Sequence, residues 1–175
     1  MVIVRDARVE DASAVARIHV RSWQVAYRGL LPDEYLDELR PEDRVGRYLF
    51  GDHEPNRPAT IVAVTDGLVR GFATTGPARD ADAAQAGERY ALYLEPDAWG
   101  LGLGRRLIAE ARARLGRQGF REAVLWVLVG NSRAERLYRA DGWDVDGHRR
   151  EGEVWGVLVD EVRYRRSLVG LATSD

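Results

Sequence analysis

The sequence predicts a single α/β domain, residues 1–175, built on a mixed sheet with helices on both faces. Three observations carry this. Two strand–helix units, starting near Glu88 and Ala123, lie between segments that read as hairpins, so parallel and antiparallel neighbours must share one sheet. Ala123-Val124-Leu125-Trp126-Val127-Leu128-Val129 is an unbroken apolar run, as expected of a central strand covered on both faces. The chain has 175 residues, 45% hydrophobic and 31% charged, which is one ordinary globular domain's worth, with no internal repeat or linker.

Taken in order, Val2-Ile3-Val4 opens as a short strand. Asp11 is placed to cap a helix running to about Tyr27, closed by Gly29. Val15, Ile18, Ser22 and Val25 follow helical spacing and are expected to face the core, with His19, Trp23 and Tyr27 on an adjacent stripe. Two shorter helices are expected from Pro32 to about Leu39 and from Glu42 to about Phe50, then a loop over 51–58. Thr60–Thr65 and Leu68 to about Thr75 form a hairpin about Asp66-Gly67. The small, acidic stretch Gly76–Gly87 reads as a mobile loop. Glu88–Glu95 is a strand ended by Pro96, and Leu103 to about Arg117 a helix with Leu103, Leu107, Ala111 and Leu115 on one stripe. Ser132–Asp141 reads as a helix, and Trp143–His148 with Val154–Arg165 as a closing hairpin.

Composition removes several function classes. The net charge of -2 gives no overall reason to expect nucleic acid or an anionic membrane as partner. No apolar run approaches the ~20 residues of a membrane span, and Met1–Asp6 lacks the layout of a signal peptide, so a cytoplasmic location is expected. Cysteine is absent, excluding disulfides and a thiol nucleophile, and all 26 basic side chains are arginine. His19, His53 and His148 lack metal-ligand spacing, so no metal is expected. Asp160-Glu161 reads as a solvated pair rather than a catalytic dyad.

Trp99-Gly100-Leu101-Gly102-Leu103-Gly104 lies between a strand and a helix. Glycines there let a pyrophosphate approach several backbone N–H groups at once. A hydrogen bond to a charged group contributes about 1.5–3 kcal/mol. The helix dipole adds about 0.3–1 kcal/mol, so the amides matter more. By itself the loop supports only anion binding, with a plain turn as the alternative. A Rossmann site is a poorer fit: the spacing is G-x-G-x-G, it falls past mid-chain, and the next strand ends in Leu128-Val129-Gly130 without an acidic residue.

The following helix carries Ala134, Leu137 and Tyr138 on one face, then Gly142 as a C-cap and Trp143. Ser132-x-x-Glu135 has the form of a capping box, which would leave Asn131 free for another partner. The alternative makes Asn131 itself the cap and Tyr138 a core aromatic.

Together the two segments resemble the GCN5-related N-acetyltransferase (GNAT) superfamily. Its Q/R-x-x-G-x-G/A loop is followed by N-x-x-A-x-x-L-Y-x-x-x-G-F/W. The second pattern is complete from Asn131 to Trp143. In the first, Gly102 and Gly104 match, and Trp99 replaces the usual Gln or Arg. The resemblance is strong from about Glu88 to Arg165; before that only the order of elements agrees.

It implies a GNAT fold: a seven-stranded mixed, mostly antiparallel sheet, splayed between the fourth and fifth strands and flanked by about four helices. It implies an acetyl-CoA-dependent N-acetyltransferase that moves acetyl directly from the thioester to an amine, with no metal. The pyrophosphate would sit on Gly100, Leu101, Gly102, Leu103, Gly104 and Arg105. The pantetheine arm would pair with the backbone of Leu92, Tyr93 and Leu94 and meet Asn131. Tyr138 matches the general acid for the departing thiolate. Glu88 matches a catalytic glutamate of some members, and reads equally as a solvated strand-end carboxylate. Where other members place a base on the following strand, this chain has Trp126. Arg133, Arg136 and Arg139 are candidates for the coenzyme's 3′-phosphate.

His19, Trp23, Tyr27 and Trp126 are the candidates for the acceptor site. Asp80 and Asp82 would add attraction for a cationic amine; the aromatics read equally as packing for the first helix. The expected partner is a small-molecule or peptide amine, with no nucleic acid, no membrane, and a homodimer left open. The alternative function is a catalytically silent acyl-CoA-binding sensor or partner module.

Overall fold

The computed structural model describes residues 1–51, 57–154 and 156–170. Seven strands make one sheet: β1 (Val2–Asp6), β2 (Ala59–Thr65), β3 (Leu68–Pro77), β4 (Gly87–Leu94), β5 (Glu122–Leu128), β6 (Asp144–Val154) and β7 (Val157–Ser167), in the order β1-β2-β3-β4-β5-β7-β6. Every pairing is antiparallel except β4 with β5. The helices are α1 (Ala12–Ala26), α2 (Asp33–Glu38), α3 (Glu42–Val45), α4 (Leu103–Arg117) and α5 (Ser132–Ala140). Among the described residues no helix is long and apolar enough to cross a membrane.

Strand alternation divides the core. Ile61, Ala63 and Ala73 face α4 through Leu107 and Ala111, while Val62 and Phe72 face α1 through Val15 and Ile18. At the β2–β3 turn, Asp66 (φ 53°) and Gly67 (φ 78°) both have positive φ, the handedness a tight hairpin needs.

The β4–β5 ladder is short. It holds Gly87↔Ala123, Glu88↔Val124 and Arg89↔Leu125, and the strands then separate, while β4 stays paired with β3 as far as Leu94. A bulge marks the parting: Thr75 pairs with Arg89 and Thr74 with Ala91, leaving Tyr90 as the extra residue. The Tyr90 ring lies over Gly76, where an added Cβ would come within 2.7 Å of the phenol oxygen. Its hydroxyl donates to the Pro77 carbonyl, and Arg79 stacks 4.3 Å from the ring centroid.

Five expectations need correction. Asp11 does not cap α1: its carboxylate accepts from Arg5 (2.7 and 3.0 Å) and from the Arg8 N–H (2.8 Å). Val25 is 51% exposed, because the buried arc of α1 centres on Val15, Ala16, Val20 and Trp23 instead. The stretch 76–87 is a built wall rather than a loose loop. It contains a 3₁₀ turn at Ala81–Ala83, buries Ala83 and Ala86 against Val124, and is held by Arg163, which bonds Asp80 (3.0 Å) and Asp82 (2.8 Å). The third helical segment stops at Val45, and the closing hairpin is longer than its apolar pattern, since β6 runs to Val154 on charged residues paired across the strands. The expected loop 51–58 falls mostly outside the described residues, as does His53.

Beneath α1, the His19 ring stacks on Tyr93 at 4.5 Å, meets Trp23 and Phe72 edge-on, and shares a hydrogen bond through Nδ1 with the Tyr48 hydroxyl. Burial pushes its pKa well below the ordinary value, with Arg44 acting in the same direction. The folded protein therefore keeps His19 neutral where the unfolded chain takes up a proton. Stability should fall as pH drops below about 6.5, by up to about 1.4 kcal/mol per pH unit for this one group. Denaturant titrations should show a shallower pH dependence between pH 7 and 5 for His19→Phe than for wild type. Parallel curves would remove His19 as the cause.

Candidate functional site

The glycine loop builds a helix start open to solvent. After a 3₁₀ turn at Pro96–Ala98, Gly100 (φ 79°) and Gly102 (φ 82°) both take the left-handed conformation, and Gly102 is the N-cap of α4. A Cβ at either would meet nothing within 4 Å, so the space beside them is free. The helix ladder begins with the Arg106 N–H donating to the Gly102 carbonyl (3.3 Å), which leaves the N–H groups of Leu103, Gly104 and Arg105 without helical partners. Gly104 differs from the other two. It is buried within α4, and a Cβ there would sit 3.4 Å from Leu137 and 3.5 Å from Leu94. Its smallness lets α4 and α5 approach.

The second segment is explained residue by residue. Asn131 is the cap of α5, accepting from the Ala134 N–H (3.3 Å), so the capping-box reading of Ser132 gives way. Leu137 packs on Gly104. The helix closes when the Gly142 N–H donates to Arg139 and the Trp143 N–H to Tyr138, both at 3.0 Å, with Gly142 at φ 83°. The Trp143 Nε1–H donates to Asp141 (3.0 Å), which also pairs with Arg112 at 2.6 Å.

Between the parted strands lies a cavity of about 410 Å³. Leu92, Tyr93 and Leu94 of β4 form one wall, Val127 and Leu128 of β5 another, and Asn131, Leu137 and Tyr138 close it from α5. Trp99 is at its rim, while the Gly100–Arg105 loop is outside the lining. Arg133 stacks on Trp99 at 3.5 Å, placing a cation where the family pattern has Gln or Arg. Arg139 turns away to Tyr164.

Tyr138 is 3% exposed, and burial raises its pKa above the usual phenol value, with nearby Arg89 opposing the shift. It is therefore a proton-bearing hydroxyl at neutral pH. Glu88 lines the same cavity but is not a solvated carboxylate. It is 1% exposed and accepts from the Arg79 N–H (2.9 Å), Nε (3.3 Å) and Nη2 (2.6 Å).

Of the four aromatic candidates for the acceptor site, Trp23, Tyr27 and Trp126 line the cavity. His19 does not; its stacking on Tyr93 turns it into the core beneath α1. The Trp126 Nε1–H donates to Asp80 (2.9 Å), and Arg150 lies over its ring at 4.0 Å. Asp80 and Asp82 are compensated by Arg163, itself 1% exposed and also paired with Asp146 at 2.7 Å. Arg163 lowers the Asp82 pKa to about 2. Both acids are tied to Arg163, and neither is among the residues that line the cavity.

Sequence reasoning missed Arg79, Arg89 and Arg163. For Arg89 a signal existed: a charged residue inside a strand whose other members are largely apolar. For Arg163 the only signal was a surplus of nearby acids, which needs the fold to become meaningful. Among the described residues no group of His, Asp or Glu is placed to hold a metal ion.

Comparison with known proteins agrees with this architecture. The sequence model of the Acetyltransferase (GNAT) family matches residues 14–143. An uncharacterized N-acetyltransferase, YuaI of Bacillus subtilis, is 35% identical over 134 residues, spanning 75% of this chain and 74% of that protein. YncA of Salmonella typhimurium, a putative acetyltransferase solved with acetyl-CoA, superposes with a TM-score of 0.72 at 20% identity, covering 100% of this chain and 98% of its own. The PaiA N-acetyltransferase of Thermoplasma acidophilum, solved with coenzyme A, gives 0.71 at 20% identity, covering 95% and 99%. With the family model matching residues 14–143 and a relative 35% identical over three quarters of its length, this chain belongs to the GNAT acetyltransferase family.

Proposed function

We propose that this protein transfers acetyl from acetyl-CoA to the amine of a small molecule. The observation that carries the reading is the combination of three features at and beside one cavity. β4 loses its β5 partner after Arg89, Tyr138 lines the space between the strands, and α4 presents unpaired N–H groups above Gly102, directly after the cavity-lining Trp99. The residues fit the coenzyme. The open side of Gly100 and Gly102 admits a phosphate to the amides of α4, and the unpaired edge of Leu92, Tyr93 and Leu94 can receive an extended amide-bearing arm like an added strand. Solved relatives that hold coenzyme A or acetyl-CoA support the same donor.

Acetyl-CoA supplies the acyl group as a thioester. The chain's own residues orient it and move protons. Trp23, Tyr27 and Trp126 enclose the acceptor from the α1 side and exclude water. The attacking amine must be neutral, whereas a primary alkylamine with pKa near ~10.4 is mostly protonated at pH 7. Glu88 is the assigned acceptor of that proton. Because Arg79 holds both its oxygens, transfer passes through water rather than by direct contact. Tyr138 then gives its phenolic proton to the departing sulfur, a role suited to a hydroxyl that stays protonated at neutral pH.

A thiol-release assay with acetyl-CoA and a panel of amines tests the reading. Coenzyme binding without turnover on any amine would favour the silent acyl-CoA-binding module. Tyr138→Phe should lower kcat by about 100-fold while leaving the coenzyme Kd within about threefold; an unchanged kcat rejects the acid role. Gly102→Val should weaken acetyl-CoA binding by about 100-fold in calorimetry, since a branched side chain both strains φ 82° and fills the phosphate approach. Near-normal affinity would place the pyrophosphate elsewhere.

A further inference from the structure

Most buried ions of this protein have a countercharge. Glu88 has Arg79, Asp11 has Arg5, Glu95 has Arg17 and Arg21, and Arg163 has three aspartates. Arg89 is different. It is only 6% exposed, and among the described residues no carboxylate lies within ion-pair distance of it. Its Nη2 donates to the Trp126 carbonyl at 3.3 Å, and its Cζ sits 4.8 Å from the centre of the Tyr138 ring. Its Nε is sealed from solvent with no hydrogen-bond partner.

A guanidinium has five N–H donors in a fixed fork. Burying it without a countercharge is costly, and a buried cation is ordinarily paired. Arg89 also lines the cavity, at the last rung before β4 and β5 part. This is the arrangement of a receptor for an anion, placed over the ring of the tyrosine assigned to the reaction.

We infer that Arg89 binds a carboxylate carried by the acceptor, which makes the acceptor an amino acid or a similar amine with an acid group a few bonds away. The inference rests on the acetyltransferase reading above. The coenzyme's phosphates belong at the α4 end, its pantetheine arm is uncharged, and an acetyl group brings no charge. Only the acceptor remains to carry an anion to the centre of the cavity. Closeness to Tyr138 requires the acid to be near the amine, as in α- or β-amino acids. Asp80 and Asp82, the acids expected to draw a purely cationic amine, are tied to Arg163 and lie outside the cavity lining, which weighs against that rival.

The test compares L-amino acids with their amides and their decarboxylated amines, using acetyl-CoA and thiol release, for wild type, Arg89→Met and Arg89→Lys. Wild type should favour acids over amides in kcat/KM by about 100-fold. Arg89→Met should bring that ratio near one by raising KM for the acids, and Arg89→Lys should retain part of the preference. Equal use of acid and amide by wild type overturns the inference. So does an equal loss of kcat on acids and amides in Arg89→Met, which would assign Arg89 to the reacting centre instead.

Replacing acetyl-CoA by succinyl-CoA separates the other source of a carboxylate. An Arg89-dependent preference for that donor would place the anion on the acyl group and overturn the acceptor assignment. Absence of turnover with every compound rejects the acetyltransferase reading, yet leaves Arg89 testable by binding. With coenzyme A present, amino acids should raise the Tm of wild type and not of Arg89→Met, and equal shifts refute the site. The Tm of the unliganded Met variant should equal or exceed that of wild type, because an unpaired buried charge is removed. A clearly lowered Tm would mark Arg89 as a structural residue and overturn the inference.

Discussion

The constraint on which this structure depends is the early end of the parallel β4–β5 ladder. Backbone N–H and C=O groups inside a protein must find partners, and a sheet that opens in its middle leaves two rows of them exposed to one cavity. The fold tolerates this because the opening is anchored at both ends. Below it, three rungs and the bulged Tyr90, wedged on Gly76, fix where the strands diverge. Above it, α4 and α5 are locked together through Gly104 and Leu137. An extended, amide-bearing ligand is the natural complement of the space left between.

The division between legible and illegible features follows the range of the interactions. Features set by local chemistry were readable: α4 matches its apolar stripe from Leu103 to Arg117, the Asp66-Gly67 turn follows from its two positive φ angles, and Gly142 with Trp143 closes α5 as the motif suggests. Asn131 illustrates the limit of local reasoning. Two adjacent residues, Asn131 and Ser132, were both competent caps, and choosing between them required the tertiary position of α5. Features set by distant partners were not readable. The stretch 76–87 has a loop's composition, yet becomes ordered through Arg163, some eighty residues later. His19 shares a helix stripe with Trp23 and Tyr27, but one neighbour, Tyr93, turns it away from the cavity they line.

Charge placement divides the site into structural and receptive ions. Arg163 ties down the acids of the 76–87 wall, which lie outside the cavity lining, and Arg79 pairs with Glu88, whose proposed part in proton transfer therefore runs through water. Arg89, buried in the cavity wall over the Tyr138 ring, has no carboxylate partner among the described residues. The chain has no lysine among its basic residues, so every such task falls to a planar, permanently charged fork that can bind carboxylates through two parallel bonds.

The anchoring of Asp80 and Asp82 to Arg163 bears on how an acceptor is recognised. A wall that became ordered only on contact would subtract its entropy from each binding event and would adapt to many shapes. This wall has already spent that entropy during folding, when Ala83 and Ala86 became buried against Val124. A wall packed in this way would leave selectivity at the proposed acceptor site to fit and charge rather than to closure.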